Sequence, residues 1–420
     1  MVSTEIPNSV HSSKTSSSRV LFVLLSPLPS ASADWARIGF FASFLKGLGT
    51  NVVIVGAFSA KTMNQAGITE WNGIKIYNLI PVIILRNIIA QILNIICSLP
   101  VSFFLFLIIR PKVVIMSVPS GGNPLGCYNV ARLFRCSIIT DYRDEWEDYT
   151  YSLSQSKISK NFLNIIKNAM TKCYRNSDTV ITPTEPFLKS LKSRGIENVK
   201  IIRNGADIAV FRPKDRILSR NKFGVSNNDF VLVYSGNVGG YYRLDILVHA
   251  LKQITEKYDA NVKLIIAGRG IGLQDVLKLA RDIGLQDKVI YIGKIMNKEE
   301  LVDALCASDV GIIPYNSNQL WKNSLPVKSL EYLACGLPVI ATAHKDSLLG
   351  KMITENDLGL VAQPEDIDSL SEAINTLKLS EDLRVNASAK ALSIIRQDYD
   401  RNKLALEFYS IVLRYLNDRR

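Results

Sequence analysis

Residues Asn323 to Ala341 read NSLPVKSLEYLACGLPVIA: a polar loop, Pro326, one amphipathic helical stretch, Gly336 as its stop, and the apolar run Leu337–Ala341. Loop, helix, turn and buried strand in succession are the repeating unit of a doubly wound α/β domain. A helix entered just after proline leaves the amides of Val327, Lys328, Ser329 and Leu330 without intrahelical acceptors, and with the helix dipole these form a natural anion site. Lys328 adds a full positive charge. Glu331 follows one turn on along the same face, where it can accept hydrogen bonds from sugar hydroxyls beside a bound phosphate. The pattern fits half of a site for a nucleoside diphosphate. Taken alone it also fits an exposed i,i+3 ion pair on a surface helix.

Working outward, the same alternation fills the second half of the chain. Strands are expected at Phe230–Ser235, Val262–Ala267, Val289–Ile292, Val310–Pro314, Pro338–Ala341 and Gly359–Val361. Helices are expected at Leu244–Lys257, Leu273–Ile283, Lys298–Ala307 and Val327–Cys335. The first strand runs into Ser235-Gly236-Asn237-Val238-Gly239-Gly240, a glycine-rich turn that lets backbone amides approach a phosphate, and Ala267-Gly268-Arg269-Gly270 repeats the arrangement.

The first half begins with a Ser- and Thr-rich tail over residues 1–18, too polar to bury and expected to be disordered. Arg19–Leu25 then reads as a buried parallel strand. With Ala31-Ser32-Ala33 it also mimics a signal peptide and its cleavage site, but it passes directly into a helix at Trp35–Leu48 and a second strand at Asn51–Val55, a β-loop-α-β unit. Further strands are expected at Ile74–Tyr77, Lys112–Met116, Cys136–Asp141 and Thr179–Thr182, with a long helix at Lys157–Arg175. Two loops leave carboxyl ends of these strands, Ser117–Pro124 with Ser120 and Gly121, and Asp141–Trp146 with Arg143, Asp144 and Trp146. Ligands of open parallel sheets bind there, so these residues are candidates for a second substrate; simple surface charge is the competing reading. Asn204-Gly205 ahead of Pro213 marks the linker.

Leu79 to Ile109 is nearly all Ile, Leu, Phe and Val, interrupted by Pro81, Arg86, Asn87, Gln91, Asn94 and Pro100. Ile92–Ile109 has the length of a membrane span, yet a single crossing would part the strands before it from Lys112–Met116 and tear one sheet in two. The expectation is a helical pair broken at Pro100 that lies on or dips into one leaflet, with Arg86, Arg110 and Lys112 at the headgroups. Burial under the protein, or a contact between copies, is the alternative.

The 420 residues exceed a single core, so two domains are expected: 19–206, including the apolar segment 79–110, and 207–397, with 398–420 a helix returning to the first. Lys and Arg outnumber Asp and Glu by 50 to 38, which suits an anionic partner, and the absence of basic runs with interleaved aromatics argues against nucleic acid. The 6 cysteines are scattered without a CxxC pair and only 3 histidines exist, so neither a metal site, a disulfide framework nor a catalytic triad is suggested.

SGNVGG, IAGRG, VIYIGKI, SDVGIIPY and above all PVKSLEYLACGLPVIA, dense over Phe230–Glu372, resemble the retaining glycosyltransferases of the two-domain GT-B fold, family 4. IIRNGAD, FRP and DYRDEW match more loosely over Arg19–Pro213. The resemblance implies two Rossmann-like domains facing a cleft, a nucleotide-sugar donor held by the second and an acceptor by the first. Carried over by position, Glu331 would bind the nucleotide ribose, and Lys328 with the amides of Ser329 and Leu330 would hold the diphosphate. Gly236 and Asn237 would line the phosphate side, and Arg269, Gly293 and Lys294 would border the base. The first glutamate of the family's pair falls on Asn323, and the Arg and Lys of its first turn fall on Asn237 and Tyr242, leaving Arg243 as the nearest cation. Ser30, Ala31, Ser32 and Ala33 replace the paired glycines common in the first N-terminal loop.

The implied activity is retaining transfer of a sugar from a nucleotide-diphosphate donor to a saccharide acceptor, without metal or other cofactor. Lys328 and Arg243, with the Val327–Leu330 amides, would carry the leaving-group charge. Apolar segment and basic charge together favour a polyprenyl-phosphate-linked acceptor at the inner, cytoplasmic face of the cell membrane, the protein being peripheral or monotopic. A nucleotide-sugar epimerase and a non-catalytic membrane-bound scaffold of the same fold are the rival readings.

Overall fold

The computed structural model describes residues 19–30, 32–83, 88–120, 122–154, 156–258, 261–293 and 297–418. The tail 1–18 and the predicted positions Ala31, Arg86, Asn87, Gly121 and Lys294 lie outside the described residues. Two compact units form, one holding the chain up to Ile202 and again from Ala405, the other Arg203–Leu404.

The strands of the first unit are β1 (Arg19–Val23), β2 (Asn51–Phe58), β3 (Gly67–Trp71), β4 (Ile74–Pro81), β5 (Pro111–Val118), β6 (Ser137–Tyr142), β7 (Thr179–Thr182) and β8 (Val199–Ile201). They form one sheet in the order β3-β4-β2-β1-β5-β6-β7-β8, parallel throughout except for β3 against β4. Its helices are α1 (Ala33–Gly47), α2 (Ile88–Ile109), α3 (Leu125–Leu133), α4 (Trp146–Leu153), α5 (Lys157–Arg175) and α6 (Glu185–Ser193).

Along β1, Val20 and Phe22 join the core shared with α1, while Leu21 and Val23 join the opposite core shared with α2, α3 and α5. A strand buried on both faces has no polar positions to spare, which is why its sequence is continuously apolar. The signal-peptide reading fails for this reason: the run is a central strand paired to β2 and β5. β3 is an unforeseen edge strand, joined to β4 through Asn72-Gly73 at φ of 50° and 72°. Asn-Gly is the two-residue hairpin signal, but β3 buries no residue fully and so carries no apolar alternation.

The expected break at Pro100 does not occur. α2 is one helix of 22 residues running through that proline, and it connects two strands of a single sheet. Its polarity is inverted. Asn94, Ser98 and Ser102 are buried, while Ile89 and Ile108 are 67% and 66% exposed and Ile92, Ile96, Phe104 and Leu107 join them on the outer face. The inner face fits closely, since a Cβ on Gly126 of α3 would lie 2.2 Å from Ser98 Oγ. Residues Ile89–Ile109 are long and apolar enough to cross a membrane by length and composition.

The second unit holds β9 (Phe230–Asn237), β10 (Val262–Arg269), β11 (Val289–Tyr291), β12 (Val310–Pro314), β13 (Val339–Thr342) and β14 (Gly359–Ala362). All are parallel, in the order β11-β10-β9-β12-β13-β14. Its helices are α7 (Arg216–Lys222), α8 (Leu244–Tyr258), α9 (Leu273–Asp282), α10 (Lys298–Cys306), α11 (Val327–Ala334), α12 (Leu348–Glu355), α13 (Ile367–Leu379) and α14 (Glu381–Asp398). Asp309, just ahead of β12, accepts from Val231 N at 2.8 Å and from Arg220 Nη2 at 2.8 Å, tying α7 to the sheet. The last helix, α15 (Arg401–Asn417), begins in this unit. From Ala405 it belongs to the first, where Phe408 stacks on Phe41 at 4.5 Å.

Candidate functional site

The second sheet grows in opposite directions from β9 and β12, with β10 and β11 on one side and β13 and β14 on the other. Loops leaving the two central strands diverge at such a switch point, and ligands of open α/β sheets bind in the crevice they leave. The turn after β9, the end of β12 and the first turn of α11 converge here.

Gly311 in β12 and Tyr332 in α11 set the spacing. A Cβ on Gly311 would lie 2.2 Å from Tyr332 Cδ2, so only glycine admits the ring. The Tyr332 hydroxyl then accepts from Ser235 N at 2.7 Å, locking α11 against the end of β9. Long side chains in a helix point back toward its N-terminus, which sends Lys328 toward the β9 turn and away from Glu331. Its amine lies 4.1 Å from the centre of the Tyr234 ring and 3.8 Å from that of Tyr242. Beneath it is Gly236, at φ +120°, where a Cβ would sit 2.8 Å from Nζ.

The Lys328 amine is fully buried and has no hydrogen-bond partner among the described residues. Burial pulls its pKa down to about 7, opposed only in part by the charge of Glu331. The competing reading, an exposed i,i+3 ion pair, does not hold: the cation has turned inward to two aromatic faces. Burial raises the Glu331 pKa, with Arg401 the strongest of the opposing cations, ahead of Lys298 and Lys328. Arg401 is itself held by Gly205 O at 2.9 Å.

The anion site at the α11 N-terminus is smaller than predicted. Ser329 donates its amide to Pro326 O at 3.0 Å and its hydroxyl to the same atom at 2.7 Å. Leu330 is buried in the core. Asn237 and Arg269 face each other at the ends of β9 and β10, both exposed, and Gly293 O accepts from Gly268 N at 2.9 Å. Gly236, Asn237, Arg269 and Gly293 therefore collect along one rim, with Lys328 over Gly236.

Arg243 is the predicted residue that does not join. Its guanidinium is taken by Asp245, at 2.6 Å from Nη2, and by Glu365. Glu365 follows β14, more than a hundred residues away in sequence, so no local pattern announces this capture. Asn323 ends a short 3₁₀ turn, Gln319–Asn323. Sequence reasoning named Tyr242 only as a departure and missed Tyr234, Tyr332 and Arg401. The signal available was the density of aromatics around the glycine turn: Tyr242 stacks on Tyr315 at 5.1 Å, and Tyr315 on Trp321 at 5.6 Å.

In the first unit Ser120 Oγ donates to Gly122 O at 2.7 Å. Arg143 donates to Pro119 O, lies 4.0 Å from Asp34 and keeps a buried Nε without a partner. Asp144 is exposed to solvent yet crowded by surrounding protein, which pushes its pKa up to about 6. Trp146 packs against the core, its indole donating to Tyr174 Oη at 3.4 Å. Ser120 and Arg143 thus meet at the loop after β5, with Trp146 engaged from within.

Residues 215–393 match the family model for glycosyl transferases group 1. The chain is 24% identical over 242 residues to N-acetyl-alpha-D-glucosaminyl L-malate synthase of Bacillus anthracis, covering 58% of this chain and 59% of that protein. It is 25% identical over 287 residues to alpha-monoglucosyldiacylglycerol synthase of Streptococcus pneumoniae, covering 67% and 62%. The chain therefore spans less than two thirds of the length of these curated relatives. Sucrose-phosphate synthase from Thermosynechococcus elongatus has the same fold, with a TM-score of 0.74 at 15% identity over 94% of this chain and 98% of that one.

Proposed function

We propose that this protein, whose residues 215–393 match the family model for glycosyl transferases group 1, transfers a sugar from a nucleoside-diphosphate donor to a lipid-linked saccharide, with retention and without a metal. The observation that carries this reading is the buried, unpartnered amine of Lys328 over the bare Cα of Gly236. A cation left without acceptors in a water-poor site is the group that a diphosphate completes. Glu331, half-buried one turn on, takes the ribose hydroxyls, and the rim of Asn237, Arg269 and Gly293 borders the rest of the nucleotide.

The bond between the anomeric carbon and the donor phosphate oxygen breaks as the acceptor oxygen bonds to that carbon from the same face. The hydroxyl proton passes to the departing phosphate. Lys328 stabilises the negative charge that develops on the diphosphate, an effect of several kcal/mol when water is excluded. Arg243, bound to two carboxylates, drops out of this role.

The acceptor belongs to the first unit, at Ser120, Arg143 and Asp144. The outer face of α2 lies in the cytoplasmic leaflet of the cell membrane: a helix that buries serines and exposes isoleucines is stable only where the outside is not water. Its inner face is packed along its length, so it lies in the plane of the leaflet. The S. pneumoniae relative, named for a glucosylated diacylglycerol, supports a lipid acceptor.

The test is to incubate membranes carrying the protein with radiolabelled nucleotide sugars and extract the lipids. A labelled lipid saccharide is expected. Donor binding without product would favour the scaffold, and conversion of the donor in the absence of lipid would favour the epimerase.

A further inference from the structure

Three features of the Lys328 amine demand a common explanation: it is buried, it has no hydrogen-bond partner, and it is nonetheless held in one place. Coulomb pairing does not hold it, since Glu331 lies on its own helix and makes no hydrogen bond to it. The two rings do. Tyr234 leaves β9 with its hydroxyl donating to Asn237 O, and Tyr242 bridges to Tyr315 beside β12. Their planes meet at 67° with centres 5.5 Å apart, so the pair forms a corner rather than a stack. The amine sits in that corner, facing both rings at cation–π distance. Gly236 forms the floor, where any side chain would displace Nζ.

We propose that Tyr234 and Tyr242 are the positioning residues of the donor site: an aromatic corner that holds the Lys328 ammonium in register for the diphosphate. The inference rests on the donor reading above. Aromatic faces suit the task because they attract a cation without consuming its N–H groups, whereas a carboxylate partner would occupy those donors and repel the incoming phosphates. The ammonium is therefore left without an oxygen acceptor until phosphate oxygens arrive. Both rings are themselves fixed from behind, Tyr234 by its hydroxyl bond and Tyr242 by stacking on Tyr315, so the corner is present before the ligand arrives.

The test uses the full chain, with UDP and GDP as probes in calorimetric titrations, and substitutes Tyr242 first by phenylalanine and then by phenylalanines of increasing ring fluorination. Fluorination drains the ring quadrupole at nearly constant volume, so the fold is preserved; its effect on the stacking against Tyr315 is the same with and without Lys328, whereas the cation–π attraction is present only with it. With the Tyr242→Phe variant as the reference, the fully fluorinated ring is expected to bind about tenfold more weakly than the unfluorinated one, with the intermediate rings in sequence. In a Lys328→Ala background the same series is expected to be flat. Equal affinity across the fluorinated series in the parent, with Lys328→Ala still weakening binding, would overturn the aromatic corner and leave the donor site standing. Failure of the parent to bind either diphosphate would overturn both.

Discussion

Asn94 of α2 clamps the backbone of Ile83, accepting from its amide at 2.7 Å and donating to its carbonyl at 3.1 Å. The first turns of α2 are thereby tied to the chain leaving β4, and the helix cannot roll its apolar side inward. Asn94→Leu would leave both Ile83 groups without their side-chain partner in a half-buried place. A loss of about 0.5–1.5 kcal/mol in denaturant unfolding is expected; unchanged stability would show that the clamp is dispensable.

The outward side chains themselves should govern lipid binding. Phe104 and Ile108 are 63% and 66% exposed, and each is worth about 1.5–3 kcal/mol when removed from water. Phe104→Glu with Ile108→Glu is expected to abolish co-sedimentation with lipid vesicles while nucleotide binding is retained. Vesicle binding that survives the double substitution would mean that α2 faces protein instead.

Lys328→Ala and Glu331→Ala are each expected to lower transfer at least about tenfold without unfolding, as loss of one preorganised charge contact commonly does. Arg243→Ala is expected to leave donor affinity within about twofold, because its charge is already spent on exposed pairs with Asp245 and Glu365. Near-normal turnover in both the Lys328 and Glu331 variants would remove the donor site from α11.

Donor affinity should depend on pH. The unliganded Lys328 amine titrates at about 7, and a diphosphate binds its protonated form, so binding takes up a proton. Affinity for a nucleotide sugar is expected to fall about tenfold between pH 6 and pH 8, since the donor diphosphate diester does not titrate there. Tyr234 and Tyr242 face this amine and Glu331 acts on it through its charge; Lys328→Arg should flatten the profile. For the fold the sign is opposite. A lysine whose pKa is lowered on folding holds fewer protons than in the unfolded chain, so its unfavourable contribution is full below pH 7 and fades as pH rises toward the ordinary lysine value.

Arg220 is fully buried and shares Asp309 with the backbone of β9. Arg220→Ala leaves Asp309 with Arg216 and the Val231 amide, so the expected cost is the lost charge-assisted bond, about 1.5–3 kcal/mol in unfolding experiments. A loss below about 1 kcal/mol would mean that water replaces the guanidinium.

The sequence by itself determined the two doubly wound sheets, because strands buried on both faces must be continuously apolar and the helices between them amphipathic. Thr179–Thr182, Val310–Pro314 and Lys157–Arg175 stand at their predicted limits for that reason. It also brought Gly236, Arg269, Gly293 and Lys328 to one rim, since every parallel strand delivers its following turn to the same edge. What a cation does at that rim only the tertiary structure decided. Lys328 and Arg243 read alike as free positive charges, yet one meets two tyrosine faces and the other a carboxylate from beyond β14. The inverted helix α2 obeys the same division. Its apolar content is plain in the sequence, but which residues face outward depends on where Asn94 and Ser102 find their partners outside the helix.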